Sequence, residues 1–194
     1  MTDLKPSPAS QRLLDTACEL FCREGIHATG VAHLLAKSKV SRRTLYEFYG
    51  SKDNLLRAVF KREAEMWFSW FNTDLPTYHS SPKKQLLYLF QLLQAWFGSG
   101  RFYGCLFTNA VAESDKSSSW IKEIAQNHFN KVQSHVEAIT QAAGFDDPEE
   151  KAQQICLLID GAITTAMVSE SDKGALIAQS ILKKILPDDL DDSE

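Results

Sequence analysis

Residues 29–52 read TGVAHLLAKSKVSRRTLYEFYGSK, and the rest of the chain is arranged around this stretch. Apolar residues recur at helical spacing as far as Leu35, stop at Ser38 and Lys39, and resume at Val40. The pattern predicts two short helices joined by a tight turn, followed by the start of a third helix. This is the arrangement of a helix-turn-helix, whose second helix enters the major groove of double-stranded DNA.

The predicted second helix begins with polar and cationic side chains. Ser41 stands at the N-cap position, and Arg42, Arg43 and Thr44 follow it directly. Arginine pairs bidentately with the O6 and N7 atoms of guanine, whereas threonine, tyrosine and lysine commonly hold phosphate oxygens. The start of this helix therefore suits both base reading and backbone anchoring.

The region around this motif resembles the DNA-binding domain of the TetR family of bacterial transcriptional regulators. The likeness spans roughly Gln11 to Phe60 and includes RLLDTACELFCREG, similar to the first helix of that family. It also includes VSRRTLYEFYGSKDNLLRAVF, similar to the recognition helix and the start of the fourth helix. The resemblance implies an all-α protein with an N-terminal three-helix helix-turn-helix domain and a C-terminal helical domain for ligand binding and dimerisation.

The resemblance also implies which residues contact DNA, and it places Leu45 and Tyr49 in the small core. With the turn and the helix start included, the predicted DNA contacts are Thr29, Lys39, Ser41, Arg42, Arg43, Thr44, Tyr46 and Lys52. The sequence departs from the family pattern at three places. Lys39 replaces a turn glycine, where a left-handed backbone costs a side chain about 1 kcal/mol, and its charge suits a phosphate. Phe48 replaces a tyrosine or histidine, and His33 replaces an acidic residue.

Charge is distributed unevenly along the 194 residues, whose formal net charge is −4. Residues 1–52 carry 8 lysines and arginines against 5 acidic residues, a net charge of +3, and the remainder carries 13 against 20, a net charge of −7. A local cationic surplus supplies the salt-dependent attraction to phosphate, while an acidic body limits non-specific binding. The charge pattern is therefore compatible with a DNA-binding segment in an acidic protein.

Hydrophobic residues make up 44% of the chain, which is enough to bury a substantial core. No run of eighteen apolar residues is present, and the start MTDLKPSPASQ lacks the features of a signal peptide. We therefore expect a cytoplasmic protein that does not bind a membrane. Its cysteines, Cys18, Cys22, Cys105 and Cys156, are expected to be reduced. Cys18 and Cys22 lie on the apolar side of a helix, so we expect packing, with no metal and no cofactor.

Apolar periodicity predicts the remaining helices and no strands. The predicted spans are Gln11–Glu24, Ser51 to about Asn72, Pro82–Phe97, Phe102–Glu113, Trp120 to about Ala143, Pro148–Ser169 and Gly174–Leu186. We expect a mobile arm at Met1–Ser10, a polar loop at Ser114–Ser119 and a disordered tail, PDDLDDSE. The predicted domains are residues 1–52 and 53–194, and the helix over residues 51–72 is shared between them.

The last two predicted helices mix small and apolar side chains. Two such helices from each of two chains would pack as a four-helix bundle, so we expect a homodimer through residues 155–167 and 176–185. The acidic tail beyond them, PDDLDDSE, is expected to be a solvated end with no contact role.

Large aromatic side chains are unusually frequent between Met66 and Phe129, which predicts a site for a small apolar or aromatic effector. The predicted ligand-binding residues are Trp67, Trp70, Phe71, Phe90, Trp96, Phe97, Cys105, Thr108, Asn109, Trp120 and His128. The alternative that these aromatic side chains only pack against one another stays open, as does a surface or partly buried role for His128.

The sequence has no glycine-rich phosphate loop, no Gly-x-Ser-x-Gly and no His-Glu-x-x-His pattern, so we do not expect an enzyme. The resemblance implies a repressor that leaves a near-palindromic DNA operator when its effector binds. Two alternatives remain. Cys105 lies in a Gly-Cys-Leu run, and some TetR-like proteins with a similar run respond to electrophiles. A helical ligand carrier would use the same aromatic residues without DNA, and the Arg42-Arg43 pair argues against it.

Overall fold

The computed structural model describes residues 5–114 and 119–186, and this part of the chain is helical with no strand. The predicted all-α fold class is therefore confirmed. The helices are α1 Pro8–Glu24, α2 Val31–Ser38, α3 Arg42–Phe48, α4 Lys52–Ser69, a π-helix Trp70–Asp74, α5 Leu75–Tyr78, α6 Pro82–Phe97, α7 Leu106–Glu113, α8 Ser119–Ala142, α9 Pro148–Ser169 and α10 Lys173–Ile185.

The first helix begins earlier than its apolar pattern predicts. Ser7 caps α1, because its hydroxyl accepts the Ser10 N–H at 3.1 Å and its own N–H donates to the Ser10 hydroxyl at 2.8 Å. Pro8 occupies the first turn, where its missing N–H costs nothing. The predicted mobile arm is therefore wrong from Pro8 onward, while residues 1–4, most of the predicted polar loop and the predicted tail lie outside the described residues.

Two other helix boundaries differ from the predictions because of local backbone geometry. The chain from Phe102 to Cys105 is not helical, since Gly104 has φ +87° and α7 starts only at Leu106. At the other end of α4, the helical path does not stop near Asn72. It widens into the π-helix and continues through α5 to Tyr78, and π-helical insertions of this kind are frequent at functional sites.

The chain divides into two compact units that interleave along the sequence. Unit 1 comprises residues 1–65 and 105–125, and unit 2 comprises residues 66–104 and 126–194. This division differs from the predicted one at residue 52, because the first part of α4 packs with the helix-turn-helix. It also assigns α7 and the start of α8 to the same unit as α1, α2 and α3.

The core of unit 1 is built from one apolar stripe on each of its helices. Tyr49, at the end of α3, donates its hydroxyl to the Ser10 carbonyl at 2.9 Å and so ties α3 to α1. Burying side chains of this size stabilises the unit by about 1.5–3 kcal/mol each relative to exposure. Large contributors to this core are Leu13, Leu20, Phe21, Leu34, Leu45, Leu55, Leu56, Phe60 and Phe107, all buried.

The core of unit 2 depends on close packing of α9 against α10. Gly174, in the first turn of α10, leaves room for the α9 backbone, because a Cβ built there would lie 2.7 Å from the Ala162 carbonyl oxygen. Ala162 and Ala166 on α9 and Ala175 and Ala178 on α10 are all buried, so small side chains set the short separation of the two helices.

Helix α9 is also the one described helix that is long and apolar enough to cross a membrane, judged by length and composition. One such helix is weak support for a membrane protein. Its buried side chains, among them Ile155, Ile159 and Ile163, pack inside unit 2, while Leu157 and Val168 point outward.

We expect Gly174→Ala to destabilise the protein, because the added methyl group meets backbone that cannot move without separating α9 from α10. Overpacking of this kind costs about 1–3 kcal/mol. Chemical denaturation monitored by circular dichroism measures the loss. Gly98→Ala is the matched control, since the same methyl group there lies 3.7 Å or more from its neighbours and φ is −82°. Equal stability of the two variants would contradict the proposed close contact.

Candidate nucleic-acid interface

The turn between α2 and α3 adopts the left-handed backbone that a glycine usually supplies. Lys39 has φ 53° and ψ 39°, and its N–H donates to the Leu35 carbonyl, while the Ser38 hydroxyl donates to the Leu34 carbonyl at 2.7 Å. A lysine in this conformation costs about 1 kcal/mol more than a glycine. The helix-turn-helix geometry is therefore kept, and an exposed ammonium side chain projects from the turn.

The start of α3 is capped as the sequence predicts. The Ser41 hydroxyl accepts the Thr44 N–H at 3.1 Å and lies 2.9 Å from the Thr44 hydroxyl. Leu45 is fully buried and fixes the inner face of the helix against the core. Arg42 and Arg43, on the same first turn, are exposed to solvent.

The outer face of α3 therefore carries exposed cations and one aromatic hydroxyl. The Arg43 side chain is 89% exposed, and its Nε lies 3.7 Å from a Glu47 carboxylate oxygen, a separation at which a surface pair contributes little. Tyr46 is 49% exposed. These side chains can leave their present positions for a nucleic acid at small energetic cost.

Thr29 is not part of this surface. Its side chain is fully buried, and its hydroxyl donates to the Gly25 carbonyl at 2.6 Å. The structure thus places the Thr29 side chain in the core, where its hydroxyl stabilises the end of α1, and its predicted DNA contact stays a prediction. Helix α2 starts at Val31 with Gly30 as its N-cap, which provides no side-chain cap.

Lys52 lies at the start of α4, half-buried, with one of its donors already used. Its Nζ donates to the Ile26 carbonyl at 2.6 Å and lies 5.8 Å from the centre of the Phe21 ring. Burial lowers the pKa of Lys52, and the nearby carboxylates of Asp53 and Glu113 act in the opposite direction. An ammonium group has three donors, so an additional acceptor can still bind.

Glu113 is a candidate functional residue of this region that the sequence analysis did not identify. Glu113, the last residue of α7, accepts the N–H of Ile26 at 2.7 Å and the N–H of His27 at 3.2 Å through the same Oε2. The contact joins residues 87 positions apart, so local periodicity could not predict it. His33, one of the departures from the family pattern, pairs through Nε2 with Glu24 at 2.9 Å.

The predicted ligand-binding residues fall into two sets, one in each compact unit. In unit 2, the rings of Trp67, Trp70 and Trp96 are mutual neighbours with centroid distances of 4.9, 5.8 and 6.0 Å. The Phe97 ring follows at 5.8 Å from Trp96. Phe71 and Phe90 are buried in the same unit.

His128 is the polar member of this aromatic cluster. It is 5% exposed, its ring lies 6.0 Å from Trp67, and burial lowers its pKa to about 4, with a smaller contribution from Lys131. The imidazole is therefore neutral at pH 7. Phe68 and His135 also belong here, with ring centroids 5.3 Å apart and stacked, although neither was predicted as a ligand residue.

The second set lies in unit 1, on α7 and the start of α8. Cys105 is buried and N-caps α7, Asn109 is half-buried, and Thr108 is exposed. The Trp120 ring carries the Arg57 guanidinium at 4.0 Å from its centre. This set is held by contacts different from those of the tryptophan cluster.

The three cysteines other than Cys105 are poor nucleophiles. Burial raises the pKa of Cys18 and of Cys156 to about 12, and it raises the pKa of Cys22 as well. Among the described residues, no group of three or more histidine, cysteine or acidic side chains is arranged to hold a metal ion.

Comparison with family models gives two matches that together span both units. The model for bacterial regulatory proteins of the tetR family matches residues 13–59. The model described as the C-terminal domain of LmrA/YxaF-like transcriptional regulators matches residues 82–178, half of the chain. No match is found among curated proteins.

Solved structures of regulators share the fold over nearly the whole chain. A TetR-family transcriptional regulator from Streptomyces coelicolor has a TM-score of 0.86 and 24% identity, covering 92% of this chain and 94% of that one. A putative TetR transcriptional regulator from Streptomyces avermitilis has a TM-score of 0.76 and 26% identity, covering 93% and 98%. CifR, crystallised with 26-base-pair operator DNA, has a TM-score of 0.82 and 17% identity, covering 94% and 100%.

The helix-turn-helix of unit 1 and the helical C-terminal part are thus each matched by a model of the same family, and the chain belongs to the TetR family of DNA-binding transcriptional regulators.

Proposed function

We propose that this protein is a repressor that binds a near-palindromic operator as a homodimer and releases it when a small apolar or aromatic effector binds. The observation that carries the proposal is the start of α3, where a capped helix end presents two exposed arginines beside an exposed lysine in the turn. Because TetR-family regulators are typically non-enzymatic DNA-binding proteins, we propose that this protein is not an enzyme and that it acts in the cytoplasm.

The roles of the DNA-contacting residues follow from their chemistry and exposure. Arg42 and Arg43 are proposed to read base edges, because arginine discriminates guanine through a bidentate pair. Lys39, Tyr46 and Lys52 are proposed to hold phosphates, which fix position without reading sequence. Ser41 and Thr44 are proposed to support the helix start, since their hydroxyl groups bond to each other and the Ser41 hydroxyl caps the helix N-terminus. Ser41 is exposed and Thr44 is half-buried, so both can also contact a phosphate.

The proposed dimer interface is the outer face of α9 and α10. Apolar side chains are exposed along both helices, with Leu157 71%, Val168 77%, Leu176 48% and Ile177 58% exposed. Several large apolar side chains exposed on two neighbouring helices support an interaction surface there. Within the predicted ranges 155–167 and 176–185, the proposed interface excludes Ile155, Ile159 and Ile163, because these side chains are buried inside unit 2.

A two-fold dimer suits a palindromic operator for a geometric reason. It presents two copies of α3 related by symmetry, and such proteins bind half-sites separated by about one helical turn, roughly 34–36 Å. CifR bound to a 26-base-pair operator provides a precedent in a protein of the same fold. We propose that occupancy of such a site represses transcription by occluding the promoter.

The effector is proposed to bind at the tryptophan cluster of unit 2. Its aromatic rings offer flat apolar faces, and the neutral His128 imidazole can orient a polar group through hydrogen bonding without charge. A ligand changes operator affinity only through its different affinity for two conformations of the protein. The proposed carrier of this change is the helical path from Lys52 to Tyr78, which runs from the first unit into the second.

A thiol sensor at Cys105 is the less favoured version of the regulation. Cys105 is 6% exposed and forms the apolar start of α7, so packing accounts for its presence. A ligand carrier that does not bind DNA is disfavoured by membership of the family and by the arginine pair.

We expect Arg42→Ala and Arg43→Ala each to weaken operator binding by roughly 5- to 150-fold, the range that corresponds to about 1–3 kcal/mol for a base-reading arginine. Preference for the altered base pair should fall as well. Fluorescence anisotropy with a duplex selected from random DNA, and with duplexes mutated at single positions, measures both effects. Lys61→Ala is the control, because it removes one exposed cation from α4 instead of from α3. Uniform loss across all duplexes would assign the arginines to phosphates instead.

We expect Ile177→Glu to convert the dimer to a monomer, because burying an unpaired carboxylate in an apolar interface costs several kcal/mol. Sedimentation velocity measures the change in mass. Tyr78→Glu places the same charge on a different exposed apolar side chain of unit 2, an aromatic one that is 62% exposed, and should leave the dimer intact. Retention of the dimer by the Ile177 variant would place the interface on another face.

We expect an aromatic effector to quench the tryptophan fluorescence of the cluster and to weaken operator binding by about 5- to 150-fold, the usual range of allosteric coupling. Screening hydrophobic dyes and aromatic acids provides the ligands. Trp120→Phe leaves only the three clustered tryptophans of the four in the chain, so quenching should persist in that variant. Compounds that quench in it without changing operator affinity would remove the regulatory role of the cluster.

A further inference from the structure

Glu113 joins α7 to the segment between α1 and α2. Its Oε2 accepts two consecutive backbone N–H groups, those of Ile26 and His27, at 2.7 and 3.2 Å. Hydrogen bonds to a charged acceptor are stronger than those between neutral groups. This contact therefore controls where the peptide groups after α1 lie.

The next peptide group passes this constraint to Lys52. The Ile26 residue that donates to Glu113 also accepts, through its carbonyl, the Lys52 ammonium at 2.6 Å. Glu113, the Ile26 backbone and Lys52 therefore form one continuous hydrogen-bonded chain from the end of α7 to the start of α4.

We propose that Glu113 is a positioning residue for DNA binding, which acts through the Ile26 backbone to hold the Lys52 ammonium where it meets an operator phosphate. The inference rests on the proposed phosphate contact of Lys52. One ammonium donor is used by the Ile26 carbonyl, and the remaining donors stay available because Lys52 is half-exposed.

The backbone around the contact is shaped to admit the Glu113 carboxylate. Gly25 has φ +88°, and a Cβ at this position would lie 3.0 Å from both carboxylate oxygens. Glycine therefore provides both the left-handed conformation and the space. The Thr29 hydroxyl, which donates to the Gly25 carbonyl at 2.6 Å, fixes the same segment from its other side.

Helix α7 is also held firmly on α4, so that Glu113 has a defined position. The Phe107 ring lies 5.2 Å from Phe60, and Arg57 stacks over Trp120 at the start of α8. The same short helix carries Thr108 and Asn109, two of the predicted ligand residues, about one turn before Glu113. A displacement of α7 would therefore move Glu113 relative to the Ile26 and His27 backbone and so change the position of Lys52.

A double-mutant cycle between Glu113 and Lys52 tests the proposal. The dissociation constant for a selected operator duplex is measured by anisotropy for Glu113→Ala, Lys52→Ala and the double variant, over a range of salt concentrations. Glu113→Ala should weaken binding about 5- to 10-fold and reduce the salt slope, as Lys52→Ala does. In the Lys52→Ala background, Glu113→Ala should change affinity less than twofold.

Glu123→Ala is the matched control, because it removes one exposed carboxylate from the start of α8 in the same unit. It corrects for the general gain in phosphate attraction when a negative charge is lost. Glu113→Gln keeps an oxygen that accepts an N–H and should recover part of the lost affinity. It also serves if the alanine variant does not fold, which thermal denaturation reports.

The possible outcomes separate the inference from the function on which it rests. If Lys52→Ala leaves affinity and salt slope unchanged, the proposed phosphate contact is wrong and the positioning role is wrong with it. If Lys52→Ala weakens binding but Glu113→Ala weakens it equally in both backgrounds, the phosphate contact stands and Glu113 is only a structural cap. If Glu113→Ala increased operator affinity when Lys52 is present but not in the Lys52→Ala background, the Glu113 contact would oppose DNA binding, and the proposal would be overturned.

Discussion

The left-handed conformation of Lys39 is the constraint on which the DNA-binding surface depends. It redirects the chain between the end of α2 and the start of α3, and beyond it Leu45 lies in the core while Arg42 and Arg43 in the first turn of α3 face solvent. A glycine would adopt this conformation about 1 kcal/mol more easily. Packing of the three-helix core, at about 1.5–3 kcal/mol per buried side chain, is large enough to hold a lysine there.

Local sequence patterns were sufficient for most of the fold. Helical spacing, Pro82 and Pro148 at helix starts, and the cap at Ser41 act within a few residues, so the bounds of α6 and α9 and the start of α3 follow from them. The start of α1 was missed because its cap uses Ser10 rather than the glutamate or glutamine of a capping box. The π-helix was missed because its residues have ordinary helical spacing.

Features that depend on tertiary contacts could not be predicted in this way. The family pattern implied a surface role for Thr29, but packing decides its exposure, and its hydroxyl donates to the Gly25 carbonyl at the end of α1. Glu113 contacts the loop after α1 although it lies 87 residues further along the chain, so no local pattern indicates the contact. The predicted ligand residues were grouped by composition alone, whereas the fold divides them between two sets with different neighbours.

The tryptophan cluster limits how an effector can act. Its rings already contact each other, and each aromatic pair contributes about 0.5–1.5 kcal/mol beyond its buried area. A ligand that separates them must replace these contacts, so only its excess interaction with the altered conformation shifts the equilibrium. The shift that is required is modest, since allosteric couplings are about 1–3 kcal/mol. One charged hydrogen bond, such as that between Glu113 and the Ile26 N–H, contributes a free energy of the same size, so a coupling of this magnitude corresponds to the loss of a single contact.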